Sequence, residues 1–313
     1  MAEAVAQHRS VSIPESVAGE RIDAALARMF GISRSKAAEL ISAGAVLVDG
    51  AAVSKSERAL PGARVDVDLP PEGEGVTVVP ELVEGIKIIH DDDAVVVIDK
   101  PVGVAVHPSP GWKGPTVVGH LAAAGFRIAT SGASERQGIV QRLDVGTSGV
   151  MVIAKSEYAY SRLKNAFRRR AVDKTYHALV QGHPDPLAGT IDAPIGRHPR
   201  HDYKFAVMAD GKHSVTHYRT LEAHRFASLL SVTLETGRTH QIRVHMAALK
   251  HPCVGDLLYG ADPVLAARVG LNRQWLHAVK LGFEHPDTGE YVEYESEYPD
   301  DLADALDKIR DAV

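Results

Sequence analysis

Sulfur and long apolar runs are scarce in this chain of 313 residues. Its one cysteine, Cys253, excludes an intrachain disulfide framework and a thiolate zinc cluster. Such usage suits a reducing compartment. Met1 to Glu15 lacks the apolar stretch of a secretory signal, and runs such as Ala94 to Ile98 are far too short to span a bilayer. A cytoplasmic location is expected. The Gly-x-x-x-x-Gly-Lys-Ser/Thr phosphate loop, the Gly-x-Gly-x-x-Gly dinucleotide fingerprint and the His-Glu-x-x-His zinc helix are all missing. Gly146-Thr147-Ser148-Gly149 lacks the spacing of a serine nucleophile elbow. Sixteen histidines invite a metal reading, but His240 and His245 stand five apart, on different faces of a helix. No metal site is expected.

What is present reads as a globular protein, with 45% apolar and 24% charged residues. The length allows one large domain and one small one. The net charge of -5 argues against a polyanionic partner until its distribution is considered. Acids crowd the stretch from Glu284 to Val313, where only Lys308 and Arg310 oppose them, and the remainder is net basic. Basic residues gather from Arg162 through Arg168, Arg169 and Arg170, and again from Arg197 to Lys212. Local fields, not totals, govern phosphate binding. A solvated helix face is the plain alternative for such a run.

Residues 1 to 10 read as disordered. A small unit spans residues 11–70. Ile22, Leu26 and Met29-Phe30 recur at helical spacing and Gly31 ends that helix; Ser33 caps a second, with Ala37, Leu40 and Ile41 on one face and Gly44 as its stop. Val46 to Val48 is a strand closing in an Asp49-Gly50 hairpin turn, and Arg64 to Leu69 alternates with period two. Arg34 and Lys36 stand where a helix N-terminus and two cations would face a phosphate. This order resembles the alpha-L RNA-binding domain. Residues 71–85 read as a linker, on the composition of Pro70-Pro71-Glu72-Gly73-Glu74-Gly75 at that boundary. In residues 86–313 strand runs outnumber helices and do not alternate with them, which predicts an α+β fold with a mixed, mostly antiparallel central sheet.

Four segments carry chemistry. They are Asp99-Lys100-Pro101 with His107-Pro108; Gln141-Arg142-Leu143-Asp144 before a Gly/Thr/Ser turn; Lys174-Thr175-Tyr176; and Thr236-Gly237-Arg238-Thr239-His240-Gln241-Ile242-Arg243. Leu276-His277-Ala278 is a weaker fifth. An acid between apolar flanks, as Asp144 is, costs stability unless something pairs or uses it.

Taken in order, these segments resemble the RluA family of RNA pseudouridine synthases, and within it the type acting on the large ribosomal subunit. Gln141 stands where that family commonly has histidine. The resemblance implies a pseudouridine synthase fold and isomerisation of uridine in structured RNA, with no cofactor, because nothing is oxidised or hydrolysed. Asp144 becomes the reacting carboxylate, through a covalent adduct or a glycal; the residues do not choose between them. Arg243 would hold it charged. Tyr176 would stack on the uracil and relay the C5 proton, and Leu276 would form an apolar wall beside Leu143. Arg142 would help flip the base, and Arg238, Thr239, His240 and Gln241 would meet phosphates and sugar edges. Arg34, Lys36 and Arg168 to Arg170 would add salt-sensitive affinity for ribosomal RNA. A monomer is expected. The competing expectations are a transfer-RNA substrate, or a non-catalytic RNA-binding assembly factor of the same fold.

Overall fold

The computed structural model describes residues 7–30, 32, 34–69, 78–109, 111–132 and 136–311, without the side chains of residues 34–36 and 202. Gly31, Ser33, the 70–75 linker segment and the Arg34 and Lys36 side chains therefore lie outside the described parts. Contacts divide the chain into two units, Met1–Thr77 and Val78–Val313.

The first unit runs β1 (Gln7–Ser12), α1 (Ile22–Phe30), α2 (Arg34–Ser42), β2 (Val46–Val48), β3 (Ala51–Ala52) and β4 (Arg64–Leu69). Ile22, Ala25 and Leu26 bury one face of α1 against Ala37, Leu40 and Ile41 of α2, while Val65 and Val67 supply the inward face of β4. Asp49 and Gly50 both have positive φ, as a two-residue hairpin turn requires. Residues 7–10, expected to be disordered, belong to β1, which pairs antiparallel with β4 from Gln7↔Leu69 to Ser12↔Arg64. Gln7-His8-Arg9-Ser10 is polar because β1 is an edge strand, held by its ladder rather than by burial.

The second unit contains β5 (Lys87–Asp91), β6 (Val95–Lys100), α3 (Val117–Ala123), β7 (Ser148–Ala154), α4 (Glu157–Arg168), β8 (Asp173–Gln181), β9 (Ala188–Asp192), β10 (Ile195–His198), β11 (His201–Val207), β12 (Val215–Ala223), β13 (Ala227–Leu234), α5 (Gln241–Ala248), α6 (Pro263–Val269), β14 (Leu276–Glu284), β15 (Tyr291–Glu295) and α7 (Asp300–Arg310). Its main sheet has the order β5-β6-β7-β14-β8-β13-β12-β9, with β15 on β14. Only β7 and β14 pair in parallel within that order. The sheet is thus mixed and mostly antiparallel, as the unalternating strand pattern predicts.

Every residue of β7 is buried, which explains its unbroken Val150 to Ala154 run. Beside it, Gly149 sits at φ +121° with a would-be Cβ 2.3 Å from the Ala278 carbonyl oxygen, so no other residue lets β7 and β14 approach this closely. Ser156 caps α4 by accepting the Ala159 N–H at 3.1 Å. A separate apolar cluster packs α7, through Leu302, Ala305, Leu306 and Ile309, onto Trp275. Residues 78–85 differ from a linker: Val78 and Val83 pack on the main core, and the Val83 N–H donates to His120 Nδ1 at 3.0 Å. Among the described residues no helix is long and apolar enough to cross a membrane.

Candidate active site

A cleft of about 1060 Å³ opens where the Asp144 turn, the edge of α4, the start of β8 and the N-terminus of α5 converge. Its walls bring together Arg142, Leu143, Asp144, Tyr176, Arg243 and Leu276, residues spread over much of the chain. The fold explains the meeting. Sheet order inserts β14 between β7 and β8, so Leu276 at the start of β14 lies beside the end of the Asp144 turn and opposite Ala178 of β8.

Asp144 keeps 23% of its side chain exposed, open to the cleft, while Arg243 is nearly sealed. Arg243 Nη1 donates to Asp144 Oδ2 at 3.2 Å. Its other edge forks Asp256, with Nε to Oδ2 at 2.7 Å and Nη2 to Oδ1 at 2.9 Å. The Tyr259 ring lies 4.9 Å from the guanidinium carbon. Burial opposes the charge on Arg243, but the bonds to Asp256 and the field of Asp144 outweigh it and raise its pKa. The result is a fixed cation whose Nη1 faces Asp144.

Tyr176 is buried at the cleft floor. Burial, reinforced by the Asp144 charge, raises its pKa, so the phenol stays protonated. Leu143 and Leu276 are buried too and line the same wall. Lys100 is fully buried nearby, donating to the Pro101 and Val104 carbonyls at 2.8 and 2.9 Å. Burial pushes it down to about 7, against the pull of Asp144.

The α5 start is less uniform than its sequence suggests. Arg142 Nη2 donates to Thr239 Oγ1 at 3.0 Å, linking the two segments across the cleft. His240 adopts φ 56° as the residue before α5, with Nε2 3.8 Å from Asp144 and Nδ1 hydrogen-bonded to Tyr259 at 2.8 Å. Burial pushes its pKa down, although Asp144 pulls the other way. Arg238 donates through Nε to the His213 carbonyl at 3.2 Å. Gln241 departs from the expectation of a sugar or phosphate contact. Its Oε1 accepts from Thr236 and from the Arg238 N–H, and its Nε2 donates to Val215 and Thr216. With the amide fully engaged and buried, Gln241 braces the loop instead. Gln141 lines the cleft with its Nε2 buried and unpartnered.

Among the described residues, eight cations line the cleft, Arg136, Arg142, Lys164, Arg168, Arg170, Lys174, Arg238 and Arg243, against two carboxylates, Asp144 and Glu235. Arg168 and Arg170 therefore face it; Arg170 also pairs with Glu235 at 2.6 Å. Arg169 closes α4 as its C-cap and is absent from the lining. Such a surplus of positive charge in one concavity suits a phosphodiester chain.

Among the described residues, one group brings three metal-ligating side chains together, His90, Asp92 and His285, with donor atoms within 4.8 Å. It lies beyond the far end of β14 from the cleft. Both imidazoles bond the same Asp92 oxygen, at 2.8 and 2.9 Å. Burial opposes the Asp92 charge, yet the bonds from His90 and from the Val95 and Ala94 N–H groups hold its pKa at about 2. The Thr288 N–H donates to His285 Nδ1 at 3.3 Å, which leaves Nε2 as the protonated nitrogen and satisfies the group internally.

The chain is similar to known proteins. The family model described as RNA pseudouridylate synthase matches residues 94–248, and the S4 domain model matches residues 20–65. An uncharacterized RNA pseudouridine synthase of Mycobacterium bovis is 60% identical over 302 residues, covering 96% of this chain and 98% of its own. Ribosomal large subunit pseudouridine synthase D of Xanthomonas campestris pv. campestris is 41% identical over 313 residues, with 97% and 93% coverage. The chain belongs to the RluA family of RNA pseudouridine synthases. The solved structure of human RNA Pseudouridylate Synthase Domain Containing 4 has a TM-score of 0.56 at 25% identity, over 72% of this chain and 93% of that one. As a pseudouridine synthase the protein is an isomerase, with an S4 RNA-binding domain where the sequence resembles the alpha-L fold.

For this synthase, Asp256 and Tyr259 are the site residues that sequence reasoning missed. Their only local signal is the polar pair set into Val254-Gly255-Asp256-Leu257-Leu258-Tyr259-Gly260, thirteen residues beyond Arg243 for the aspartate.

Proposed function

We propose that this synthase converts uridine to pseudouridine in large-subunit ribosomal RNA, with Asp144 as the reacting carboxylate. The observation that carries this reading is the Arg243 guanidinium, forked by Asp256 and donating through Nη1 to the Asp144 carboxylate at the open cleft. A carboxylate is ionised at neutral pH without help. A fixed cation then keeps it so when a nucleotide displaces water. The names of relatives at about 40% identity, ribosomal large subunit pseudouridine synthase D, support the substrate class. Action on ribosomal RNA also accords with a cytoplasmic role in ribosome biogenesis.

The reaction breaks the bond from N1 to C1′, turns the uracil, forms a bond from C5 to C1′, and moves one proton from C5 to nitrogen. Asp144 either bonds the substrate covalently or promotes a glycal by taking a sugar proton. Tyr176, a neutral phenol, offers its ring to the uracil and its hydroxyl to the proton relay. Arg142 reaches from the Asp144 segment into the space the flipped base leaves. Leu143 and Leu276 exclude water from the uracil edge. Arg238, Thr239 and His240 meet the backbone, and Arg168 and Arg170 extend the positive wall along α4. Arg34 and Lys36 serve the S4 domain in the same way.

Asp144→Asn tests the assignment. Pseudouridine formation on large-subunit RNA fragments is expected to fall by about 10³-fold or more, with RNA affinity kept. Wild-type turnover in that variant removes Asp144 from the chemistry. Mapping pseudouridine in ribosomal and transfer RNA from cells with and without the protein identifies the substrate. No altered position in either, with no activity on fragments, favours an RNA-binding assembly factor instead.

A further inference from the structure

The turn that carries Asp144 is held by groups that do not line the cleft. Within it, the Thr147 N–H donates to the Asp144 carbonyl at 3.0 Å. The Gly146 carbonyl and Ser148 Oγ both accept from Arg273 Nη1, at 3.1 and 3.2 Å. Gln274 Nε2 donates to Thr147 Oγ1 at 3.2 Å, and a Cβ on Gly146 would lie 2.6 Å from the Gln274 amide oxygen, so the neighbouring side chain fits flat on the turn. His277 Nδ1 bonds the same Ser148 hydroxyl at 2.9 Å. The other edge of Arg273 forks Asp301, with Nε to Oδ2 at 2.7 Å and Nη2 to Oδ1 at 2.8 Å. Asp301 stands in the first turn of α7, where unpaired backbone N–H groups favour a carboxylate. Neither Arg273 nor Asp301 reaches the cleft wall.

We propose that Arg273 is a positioning residue for Asp144, and that α7 takes part in catalysis through Asp301 by fixing the Arg273 guanidinium that sets the Asp144 turn. This rests on the assignment of Asp144 as the reacting carboxylate. Arg273 is held on both edges: Nε and Nη2 donate to Asp301 of α7, and Nη1 donates to a backbone carbonyl and a hydroxyl of the turn. A guanidinium is planar, so fixing one edge fixes the direction of the other. Loss of Asp301 frees the head to rotate, and the turn loses the donor that sets its backbone. Displacing a reacting group by about 1 Å costs on the order of 10²-fold in rate. Because neither group touches the cleft, binding of RNA is untouched.

The test compares kcat, KM, the RNA dissociation constant and the melting temperature of Asp301→Asn, Arg273→Gln and Arg273→Lys on a large-subunit RNA fragment. The expected result is a kcat lowered about tenfold in Asp301→Asn and about 10²-fold in Arg273→Gln, with KM and the dissociation constant within about twofold of wild type. Arg273→Lys falls between wild type and Arg273→Gln, because an ammonium satisfies one side only. Should Arg273→Gln fail to fold, Asp301→Asn decides, since its side chain is 39% exposed. An unchanged kcat with a lowered melting temperature in Asp301→Asn overturns the proposal and leaves the pair a packing device. A raised KM with kcat intact overturns it as well. An inactive wild type, or an active Asp144→Asn, sinks the underlying assignment and this proposal together.

Discussion

Two arginine–aspartate forks flank the Asp144 turn, and they are built differently. Arg243–Asp256 is sealed, with side chains 8% and 1% exposed. Arg273–Asp301 pairs an equally buried guanidinium with a carboxylate that is 39% exposed. The first directs Nη1 at a carboxylate oxygen, and the second directs Nη1 at backbone and hydroxyl. Under the proposed roles, one meets the Asp144 carboxylate and the other sets the position of its turn. In low dielectric a partner's charge is felt strongly and its loss leaves an ion stranded; a carboxylate in contact with water is partly replaced by solvent.

The comparison breaks most visibly at Asp256. Asp256→Asn is expected to destabilise the protein by about 3–5 kcal/mol, since it leaves Arg243 buried without its main counter-charge. Urea midpoints measure this, and a loss below about 1 kcal/mol would show that Asp144 alone neutralises the guanidinium. Asp301→Asn should cost about 1 kcal/mol by the same measurement. Double-mutant cycles sharpen the contrast: the coupling of Arg243 with Asp256 should exceed that of Arg273 with Asp301 by about 1–2 kcal/mol. Equal couplings would mean that exposure does not separate the two.

A separate effect concerns pH. Burial, first, and Arg273 nearby push His277 down to about 4, even though the Ser296 carbonyl works the other way. An unfolded histidine titrates near 6.5. Between these values the unfolded chain holds a proton that folded His277 refuses, so stability rises with pH across that window and is lost as pH falls from about 6.5 towards 4. His277→Gln should reduce that slope by at most about 1.4 kcal/mol per pH unit, while leaving the profile above pH 7 parallel to wild type. Denaturant midpoints at pH 4.5, 5.5 and 7.5 measure it; an unchanged slope would mean that His277 is protonated in the fold.

Local chemistry was legible in the sequence where one segment supplies its own pattern. The unbroken apolar run of β7, the helical spacing of α1 and the Arg142-Leu143-Asp144 core each announce themselves within a few residues. Arg243 was legible as a cation near the carboxylate, but its fork was not. Which acid lies opposite depends on the loop after α5, and no periodicity records that. Arg273 is 127 residues from Gly146, and their meeting follows from β14 lying beside β7, a neighbour choice that strand patterns leave open. Gln241, which the family resemblance places at phosphates and sugar edges, lines the cleft, but no local pattern announces that Thr236, Val215 and Thr216 fold around its amide. Residues 7–10 read as disordered because an edge strand with both faces near water needs no apolar alternation.

The long separation between Gly146 and Arg273 has a temporal consequence. A ribosome adds about 5–20 residues per second, so roughly 6–25 s separate translation of the Asp144 turn from translation of its clamp. Throughout that interval the nascent chain carries the acid without Arg273, and for most of it without Arg243 as well. The turn therefore gains its clamp only once β14 has entered the sheet between β7 and β8.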